Sequence, residues 1–313
     1  MADYKKLIDA ETWAFIERTN AFYPPDAVDQ TIEDHRRVYD AMCEGFRTPY
    51  PESVTAETTA IETPTHRIPI RIYRTIAPEA AAMVLYFHGG GFVLGGLESH
   101  DSICADIAHR TGYEVVSVDY RLAPEHLHPA AFDDAMSAFE WAATAYTRAI
   151  VLVGDSAGAN LAAAVSHATR GHQRKPAGQV LIYPGLGGDM TKGSYVNQSR
   201  APGLSTADVQ YYRDIYKGGG SKYAEPLREM DLFGLPPAFL VAAGLDPLHD
   251  DCLDYLAKLQ AAGVPAVVRD EPLLVHAFIR ARNMSVPARA SFDAIIEAAA
   301  SLAHSGQLPS RTT

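Results

Sequence analysis

Cysteine is scarce in this sequence, and its few copies are too widely spaced for the sites that cysteine usually builds. The 313 residues include three cysteines, Cys43, Cys104 and Cys252. An odd number cannot pair completely, and no Cys-x-x-Cys or Cys/His spacing typical of a zinc site is present. The sequence therefore gives no reason to expect a metal site.

Long apolar runs and an excess of positive charge are also missing. No run approaches about 18 uninterrupted apolar residues, and residues 1–8 are polar and charged, without the apolar stretch of a signal peptide. We therefore expect no membrane insertion and a cytoplasmic location.

Lys and Arg number 27 against 38 Asp and Glu, for a net charge of −11. Such a surface repels phosphate backbones and anionic lipids, so nucleic acid is a poor candidate partner.

What the sequence does contain is 47% hydrophobic residues, arranged as short apolar runs that alternate with helix-like stretches. Runs rich in β-branched and aromatic residues are typical of strands buried on both faces of a parallel sheet. We predict such strands at 83–87, 114–120, 150–153, 180–183, 239–242 and 266–268. We predict helices at 99–110, 132–146, 157–170, 247–262 and 287–304. An alternating pattern at 54–63 and 68–74 predicts an antiparallel hairpin at the sheet edge. The fold class is therefore α/β, with helices on both faces of the sheet.

Two segments do not fit this alternation. Residues 1–45 have the pattern of amphipathic helices, and residues 187–234 combine a Gly/Ser/Thr-rich stretch with several tyrosines. The simpler interpretation of 187–234 is a long surface excursion. We favour a helical lid, because long insertions in compact α/β domains are often functional.

The strongest motif is Gly154-Asp155-Ser156-Ala157-Gly158, which follows an apolar strand and precedes an alanine-rich helix. Gly-x-Ser-x-Gly in this context is typical of a nucleophile elbow. The glycines permit a tight strand-to-helix turn, and the helix N-terminus favours negative charge developing at the serine. Ser156 is our candidate nucleophile.

A second motif, His88-Gly89-Gly90-Gly91-Phe92, follows the strand predicted at 83–87. Consecutive glycines leave backbone N–H groups free to point at a ligand oxygen, as an acyl-transfer enzyme needs for its tetrahedral intermediate. A flexible loop or a phosphate cradle is the alternative, but no Gly-Lys-Ser/Thr accompanies the glycines. We expect an oxyanion-hole loop here.

A serine nucleophile needs a base and an acid that orients the base, in the chain order Ser, Asp or Glu, His. Asp246 stands at the end of the strand-like stretch 239–245 (FLVAAGL), although a helix cap before Pro247 is its structural alternative. Asp250 and Asp251 fall within the next predicted helix, where we expect solvated carboxylates.

His276 is the candidate base because it follows the last predicted strand. A lone histidine beside apolar residues is usually structural, so order and position single this one out. His249 belongs to the wrong loop, and His304 lies in the C-terminal helix, which makes both poorer candidates.

Together these motifs resemble those of the bacterial hormone-sensitive-lipase-like (family IV) esterases of the α/β-hydrolase superfamily. The resemblance covers roughly residues 80–280 and rests on five ordered motifs: His88 to Phe92, Tyr120 to Glu125, Gly154 to Gly158, Asp246 to Leu248, and His276 with Phe278. It implies an α/β-hydrolase fold whose mostly parallel eight-stranded sheet is flanked by helices. It implies oxyanion donors at the amides of Gly90, Gly91 and Ala157, and a brace around Arg121 and Glu125 that ties loops near the site.

The resemblance also implies a single α/β-hydrolase domain, 1–313, whose helical cap is formed by 1–45 and 187–234 over a catalytic core of 46–186 and 235–313.

The sequence departs from the family pattern at three positions. Ala277 replaces the glycine that usually follows the histidine, and because alanine resists positive φ, we expect a differently shaped turn there. His249 stands where the family commonly has arginine. Ala159 replaces a frequent glycine, with no expected loss of activity.

These residues predict a serine carboxylesterase that hydrolyses short- to medium-chain esters by two-step acyl transfer, without cofactor or metal. Phe92, Leu94, Tyr212 and Tyr216 suggest a pocket for a small apolar acyl group. The expected partner is a small-molecule ester. For the oligomeric state we consider a homodimer, which no motif in the sequence indicates.

Alternative activities remain open on the same scaffold. An amidase or peptidase would use identical groups. A non-catalytic small-molecule binder would need a broken triad, and His276 is present. A dehalogenase or epoxide hydrolase would need Asp at position 156, which Ser156 argues against.

Overall fold

Eight strands form one mixed sheet in the computed structural model, which describes residues 3–23, 31–76 and 82–309. The strands are β1 (Val54–Glu62), β2 (Arg67–Thr75), β3 (Ala82–Phe87), β4 (Glu114–Val118), β5 (Ala149–Asp155), β6 (Gly178–Ile182), β7 (Ala238–Leu245) and β8 (Ala266–Val275). Their order across the sheet is β1-β2-β4-β3-β5-β6-β7-β8. The pairs β1–β2 and β2–β4 are antiparallel and all the others are parallel. The predicted fold class is confirmed.

Helices cover both faces of this sheet. In the described residues they are α1 (Tyr4–Leu7), α2 (Ala10–Asn20), α3 (Ile32–Gly45), α4 (Asp101–Thr111), α5 (Ala130–Ala145), α6 (Ala157–Ala168), α7 (Ser194–Asn197), α8 (Thr206–Tyr216), α9 (His249–Ala261) and α10 (Val286–Ser305). None of these helices has both the length and the apolar composition needed to cross a membrane.

The sheet is buried on both sides because its central strands are mostly apolar, and β3 is apolar at every position. In β3, Met83, Leu85 and Phe87 face the core built with α5, α6 and α9. Val84 and Tyr86 face the opposite core, built with α4 and α10. All five side chains are fully buried. Burying an aliphatic or aromatic side chain contributes about 2 kcal/mol, so these central strands rigidly support the loops at their carboxyl ends.

The bounds predicted from the sequence agree with the structure within two residues, except at the C-terminal ends of β7 and β8. The prediction was most in error for β8, which continues to Val275 instead of ending at 268. Its middle section carries Arg269, Asp270 and Glu271 and is partly exposed. As the last strand of the sheet, β8 does not need the apolar run that marks a strand buried on both faces.

Helices α2 and α3 and the segment between β6 and β7 lie at the carboxyl ends of the parallel strands. Both α3 and α8 begin with a capping box, Thr31 with Asp34 and Ser205 with Asp208. The N-terminal part and the inserted segment touch through a hydrogen bond from Tyr4 Oη to Gln198 Oε1 of 3.0 Å. Residues 24–30, which the sequence analysis assigned to the cap, lie outside the described residues.

Candidate active site

Ser156 lies in the tight turn between β5 and α6, with φ 53° and ψ −117°. A β-carbon on Gly158 would overlap the carbonyl oxygen of Phe87 in β3, and one on Gly154 would overlap the backbone of Gly158. Both glycines of the motif are therefore required by close backbone approach. The Ser156 amide donates to the carbonyl of Ile182 at 2.9 Å, which fixes the turn against the end of β6.

Asp246 and His276 reach this serine from the ends of β7 and β8. Nε2 of His276 lies 3.0 Å from Ser156 Oγ, and its Nδ1 lies 2.6 Å from Asp246 Oδ2. Asp246 is completely buried, and its other oxygen accepts a hydrogen bond of 2.8 Å from the Leu248 amide. Since an ionised carboxylate only accepts, Nδ1 carries the proton. Nε2 is then free to accept the serine proton, which is the geometry of general-base catalysis.

The turn after His276 differs from what the sequence analysis expected. Alanine was expected to avoid a positive φ at position 277, yet Ala277 has φ 62° and ψ 18°. This left-handed conformation costs an L-residue roughly 1 kcal/mol. The turn is closed by the Arg280 amide, which donates to the Ala277 carbonyl at 3.1 Å.

The glycine loop after β3 curls over the serine. Gly90, Gly91 and Phe92 have φ values of 129°, 63° and 64°. A side chain on Gly91 would overlap the ring of Tyr212, so glycine also makes room for the inserted segment. Within the part of the chain that the structure describes, the Gly90 and Gly91 amides donate to no protein acceptor. They therefore stay available to a ligand oxygen.

A cavity of about 760 Å³ opens above these groups, a size ordinary for small-molecule sites. It is lined by the predicted site residues Gly90, Gly91, Phe92, Leu94, Ser156, Ala157, Tyr212, Tyr216 and His276, while Asp246 lies behind the histidine. The rings of Phe92 and Tyr216 stack at 3.8 Å between centroids and form one wall.

The N-terminal helices supply a further wall of this cavity that the sequence did not indicate residue by residue. Phe15 and Ile16 of α2 and Tyr39 and Met42 of α3 line it. Helix α3 is anchored by Arg36, which donates to the carbonyls of Val93 and Ala123 and pairs with Glu125 at 2.7 Å. Glu125 therefore connects the core to α3.

Arg121, the other residue of the expected brace, binds within the core. It pairs with Asp134 of α5 at 2.8 Å. The two residues of the motif thus tie different elements, and only the contact of Glu125 reaches a helix that lines the cavity.

Asp251 corrects an expectation, because it is buried and not solvated. Its Oδ2 accepts from the amides of Leu186 at 2.6 Å and Gly188 at 3.3 Å, and from the Tyr195 hydroxyl at 3.2 Å. Burial raises the pKa of this carboxyl to about 6 despite those bonds. Asp251 therefore holds the beginning of the inserted segment against α9.

Sequence reasoning also missed three buried polar residues behind the serine: Asp155, His100 and Arg280. Asp155 Oδ1 accepts from the Gly89 amide at 3.0 Å and from the Tyr86 hydroxyl at 2.8 Å. In the sequence, Asp155 appears only as the variable position between Gly154 and Ser156 of the serine motif. His100 and Arg280 belong to no recognised motif, so no sequence signal indicated them.

Comparisons with known proteins identify similar esterases and the family of the chain. A family model described as alpha/beta hydrolase fold matches residues 84–280. Esterase LipI of Mycobacterium tuberculosis is 40% identical over 235 residues, which cover 70% of this chain and 73% of that protein. The carboxylic ester hydrolase LipN of the same organism is 33% identical over 297 residues, covering 87% and 77%. The crystal structure of an esterase from the bacterial hormone-sensitive lipase family superposes with a TM-score of 0.85 at 27% identity, covering 97% of this chain and 100% of that one.

Proposed function

The chain belongs to the hormone-sensitive-lipase-like esterases of the α/β-hydrolase superfamily and is a carboxylic ester hydrolase; from this premise we propose that it hydrolyses short- to medium-chain carboxylic esters through Ser156, His276 and Asp246. The observation that carries the proposal is the pair of contacts made by His276, 3.0 Å to Ser156 Oγ and 2.6 Å to Asp246 Oδ2. Both are within the distance needed for proton transfer.

In the proposed first step, Ser156 Oγ attacks the ester carbonyl carbon while its proton passes to Nε2 of His276. Asp246 holds the ring with Nδ1–H toward the carboxylate and stabilises the imidazolium that forms. The imidazolium then protonates the departing alcohol oxygen. A water molecule, deprotonated by His276, attacks the acyl-enzyme and releases the acid.

The negative oxygen of each tetrahedral intermediate is assigned to the amides of Gly90, Gly91 and Ala157. Two features support this assignment: the free Gly90 and Gly91 amides, and the position of Ala157 as the first residue of α6. One such donor is typically worth about 3 kcal/mol in the transition state. The helix N-terminus adds a favourable dipole.

We further propose that residues 1–45 and 187–234 form a cap over the core of 46–186 and 235–313. Its support is that Phe15 and Ile16 from one segment and Tyr212 and Tyr216 from the other line the same cavity. Phe92, Leu94, Tyr212 and Tyr216 are proposed to contact the acyl group. Because the stacked pair of Phe92 and Tyr216 blocks one side, acyl chains of about two to eight carbons should fit best. A cytoplasmic location and a homodimer stay predictions.

The proposal is tested by replacing the nucleophile. Ser156→Ala should lower kcat/KM for p-nitrophenyl butyrate by at least about 10⁴-fold while the protein stays folded by circular dichroism. Ser137→Ala is the matched control, because that serine is partly exposed on α5 and its hydroxyl bonds the Asp133 carbonyl. Retained activity in Ser156→Ala would disprove the proposed nucleophile. An acyl series from acetate to palmitate on the wild type would test the chain-length range.

A further inference from the structure

A buried cluster of charged side chains lies behind the proposed nucleophile, and the esterase mechanism leaves it without a role. Asp155 ends β5, His100 ends the short 3₁₀ turn Glu98–His100, and Arg280 belongs to the 3₁₀ turn Phe278–Asn283 that follows His276. Their exposed fractions are 3%, 1% and 5%. Because burying charge is costly unless it is paired, the arrangement of these groups needs an explanation.

The hydrogen bonds around His100 fix where its protons lie. Ser99 Oγ donates its single proton to the carbonyl of Gly96 at 2.8 Å, so it must accept from Nδ1 of His100, also at 2.8 Å. The other ring nitrogen, Nε2, lies 3.2 Å from Arg280 Nη2 and 3.1 Å from Asp155 Oδ1. A neutral His100 therefore accepts from Arg280 at Nε2, and the guanidinium supplies the positive charge that balances Asp155.

Asp155 in turn connects the two halves of the proposed catalytic machinery. Its backbone directly precedes Ser156, and its Oδ1 accepts from the amide of Gly89 at 3.0 Å. Gly89 is followed by the proposed oxyanion donors Gly90 and Gly91. One carboxylate thus fixes the donor loop relative to the nucleophile.

Arg280 is itself held firmly in place. Its Nη1 donates to the Ser99 carbonyl at 2.8 Å and its Nη2 to the Tyr39 hydroxyl of α3 at 2.7 Å. These contacts leave the guanidinium little freedom to move away from His100. Its charge is therefore a fixed part of the site.

We propose that Arg280 is a positioning residue for the esterase reaction: its guanidinium, acting across His100, neutralises the Asp155 carboxylate and so holds the Gly89–Gly91 loop and Ser156 in their reactive arrangement. This inference rests on the proposed function of Ser156. It assigns Arg280 no contact with the reacting atoms.

The electrostatics of the cluster agree with this role. Burial lowers the pKa of His100, which favours the neutral ring. Burial by itself would raise the pKa of Asp155, but the Arg280 guanidinium and the hydrogen bond from the Tyr86 hydroxyl hold it well below its ordinary value. Other titratable or charged groups face the cluster from the surrounding elements: Tyr39, Cys43, Tyr86, His88, Tyr120, Tyr183 and Arg282.

Two variants separate the charge of Arg280 from its hydrogen bonds. Arg280→Gln keeps donors without the charge, and Arg280→Lys keeps the charge. In Arg280→Gln we expect kcat to fall about 10- to 100-fold, with KM changed less than about threefold. His100 should then bind a second proton and donate from Nε2 to Asp155. Since that proton is lost as the pH rises, kcat of this variant should decline above about pH 7, and kcat of Arg280→Lys and the wild type should not.

The matched control is Arg282→Gln. Arg282 belongs to the same turn and is equally buried, with 2% exposed, but it binds Asp106 at 2.7 Å and Ser102 at 3.1 Å in α4. It contacts neither Asp155 nor the donor loop through any of these bonds. Per folded molecule, this variant should keep kcat within about twofold and the wild-type pH profile.

Each outcome decides the proposal. It is overturned if Arg280→Gln keeps the wild-type kcat and pH profile, if Arg280→Lys shows the same alkaline decline, or if Arg282→Gln shows the same loss. Should Arg280→Gln fail to fold, a double variant with Asp155→Asn decides: recovery of a folded protein supports the charge pairing, and no recovery overturns it.

Reaction of the wild type with diethyl p-nitrophenyl phosphate tests the underlying function separately. Ser156 left unmodified removes both proposals, whereas modified Ser156 with unchanged Arg280→Gln kinetics removes this inference alone.

Discussion

Two turns at the carboxyl edge of the sheet supply the proposed nucleophile and the proposed base, and each holds a residue other than glycine at positive φ. In the elbow after β5, Ser156 has φ 53° and ψ −117°. In the histidine turn after β8, Ala277 has φ 62° and ψ 18°. The first combination is strained for any side chain, at a cost of about 1–3 kcal/mol. The second is the milder left-handed helical region.

The two turns are held in shape by different contacts. In the elbow, backbone packs directly on backbone: Gly158 lies against the carbonyl of Phe87, and Gly154 against Gly158. In the histidine turn, side chains hold the conformation, through the bond of His276 to Asp246 and of Arg280 to the Ser99 carbonyl. Backbone packing leaves no room for a β-carbon, whereas side-chain bonds tolerate one.

This difference explains why glycines at fixed spacing mark the elbow in the sequence but not the histidine turn. A site that requires glycine leaves a motif at fixed spacing, as Gly154 and Gly158 do. A turn held by side-chain bonds to distant parts of the chain, as His276 is to Asp246 and Arg280 to Ser99, requires no glycines at fixed spacing. The predictions that follow compare the two turns.

The largest effect is expected from a methyl group in the elbow. Gly158→Ala forces β3 and α6 apart, because the new β-carbon overlaps the Phe87 carbonyl. We expect the free energy of unfolding to fall by at least about 3 kcal/mol and kcat to fall about 10²-fold. Urea denaturation and p-nitrophenyl butyrate hydrolysis would measure both.

The control for this substitution is Gly171→Ala. A β-carbon on Gly171 would meet nothing within 4 Å, so its free energy of unfolding should change by less than about 0.5 kcal/mol. If both variants behave alike, close backbone approach is not what the elbow requires.

The second effect is expected from acid, is at most about 1.4 kcal/mol per pH unit, and should act through the donor loop that faces the elbow. His88 lies beneath the donor loop, stacked on Tyr120 at 4.3 Å between ring centroids. Burial lowers its pKa to about 3, so the folded protein keeps it neutral while the unfolded chain binds a proton below about pH 6.5. Stability is therefore lost as the pH falls from about 6.5 to 3, at up to about 1.4 kcal/mol per pH unit.

His88→Asn tests this dependence, because an asparagine can donate to the Gly89 carbonyl as Nδ1 does at 2.8 Å but does not titrate. The acid slope of the free energy of unfolding should become shallower in the variant. An unchanged slope between pH 4 and 6, measured by urea denaturation, would show that other groups control acid stability.

The sheet was predictable because it follows one-dimensional rules. Strands buried on both faces are mostly apolar runs, which located β3 to β7, and alternation located the hairpin of β1 and β2. The exposed part of β8 was not predicted, because Arg269, Asp270 and Glu271 form neither an apolar run nor an alternating pattern. The burial of Asp251 was not predicted for a related reason. A carboxylate in the first turn of a helix is usually solvated, and only the tertiary structure places the amides of Leu186 and Gly188 against this one.

Within the candidate site, the sequence predicted the groups that we propose to react and missed the groups that hold them. Ser156 was predicted from its glycine motif, and Asp246 and His276 from chain order and position. Gly90 and Gly91 were predicted from the glycine motif after β3 together with the family resemblance. Asp155, His100 and Arg280 come together only because three strands end at the same edge of the sheet. Their protons and charges can be assigned only when distances such as the 3.2 Å between Arg280 Nη2 and His100 Nε2 are known.

The smallest expected effect tests how firmly side chains hold the histidine turn. Ala277→Gly removes the left-handed penalty of about 1 kcal/mol but adds freedom to the unfolded chain. The free energy of unfolding should therefore rise by only a few tenths of a kcal/mol, with kcat unchanged. Ala277→Val should lower it, because a β-branched residue avoids positive φ. If glycine instead destabilised the protein by more than about 1 kcal/mol, the Ala277 methyl group would itself be holding the turn, and the contrast with the elbow would weaken.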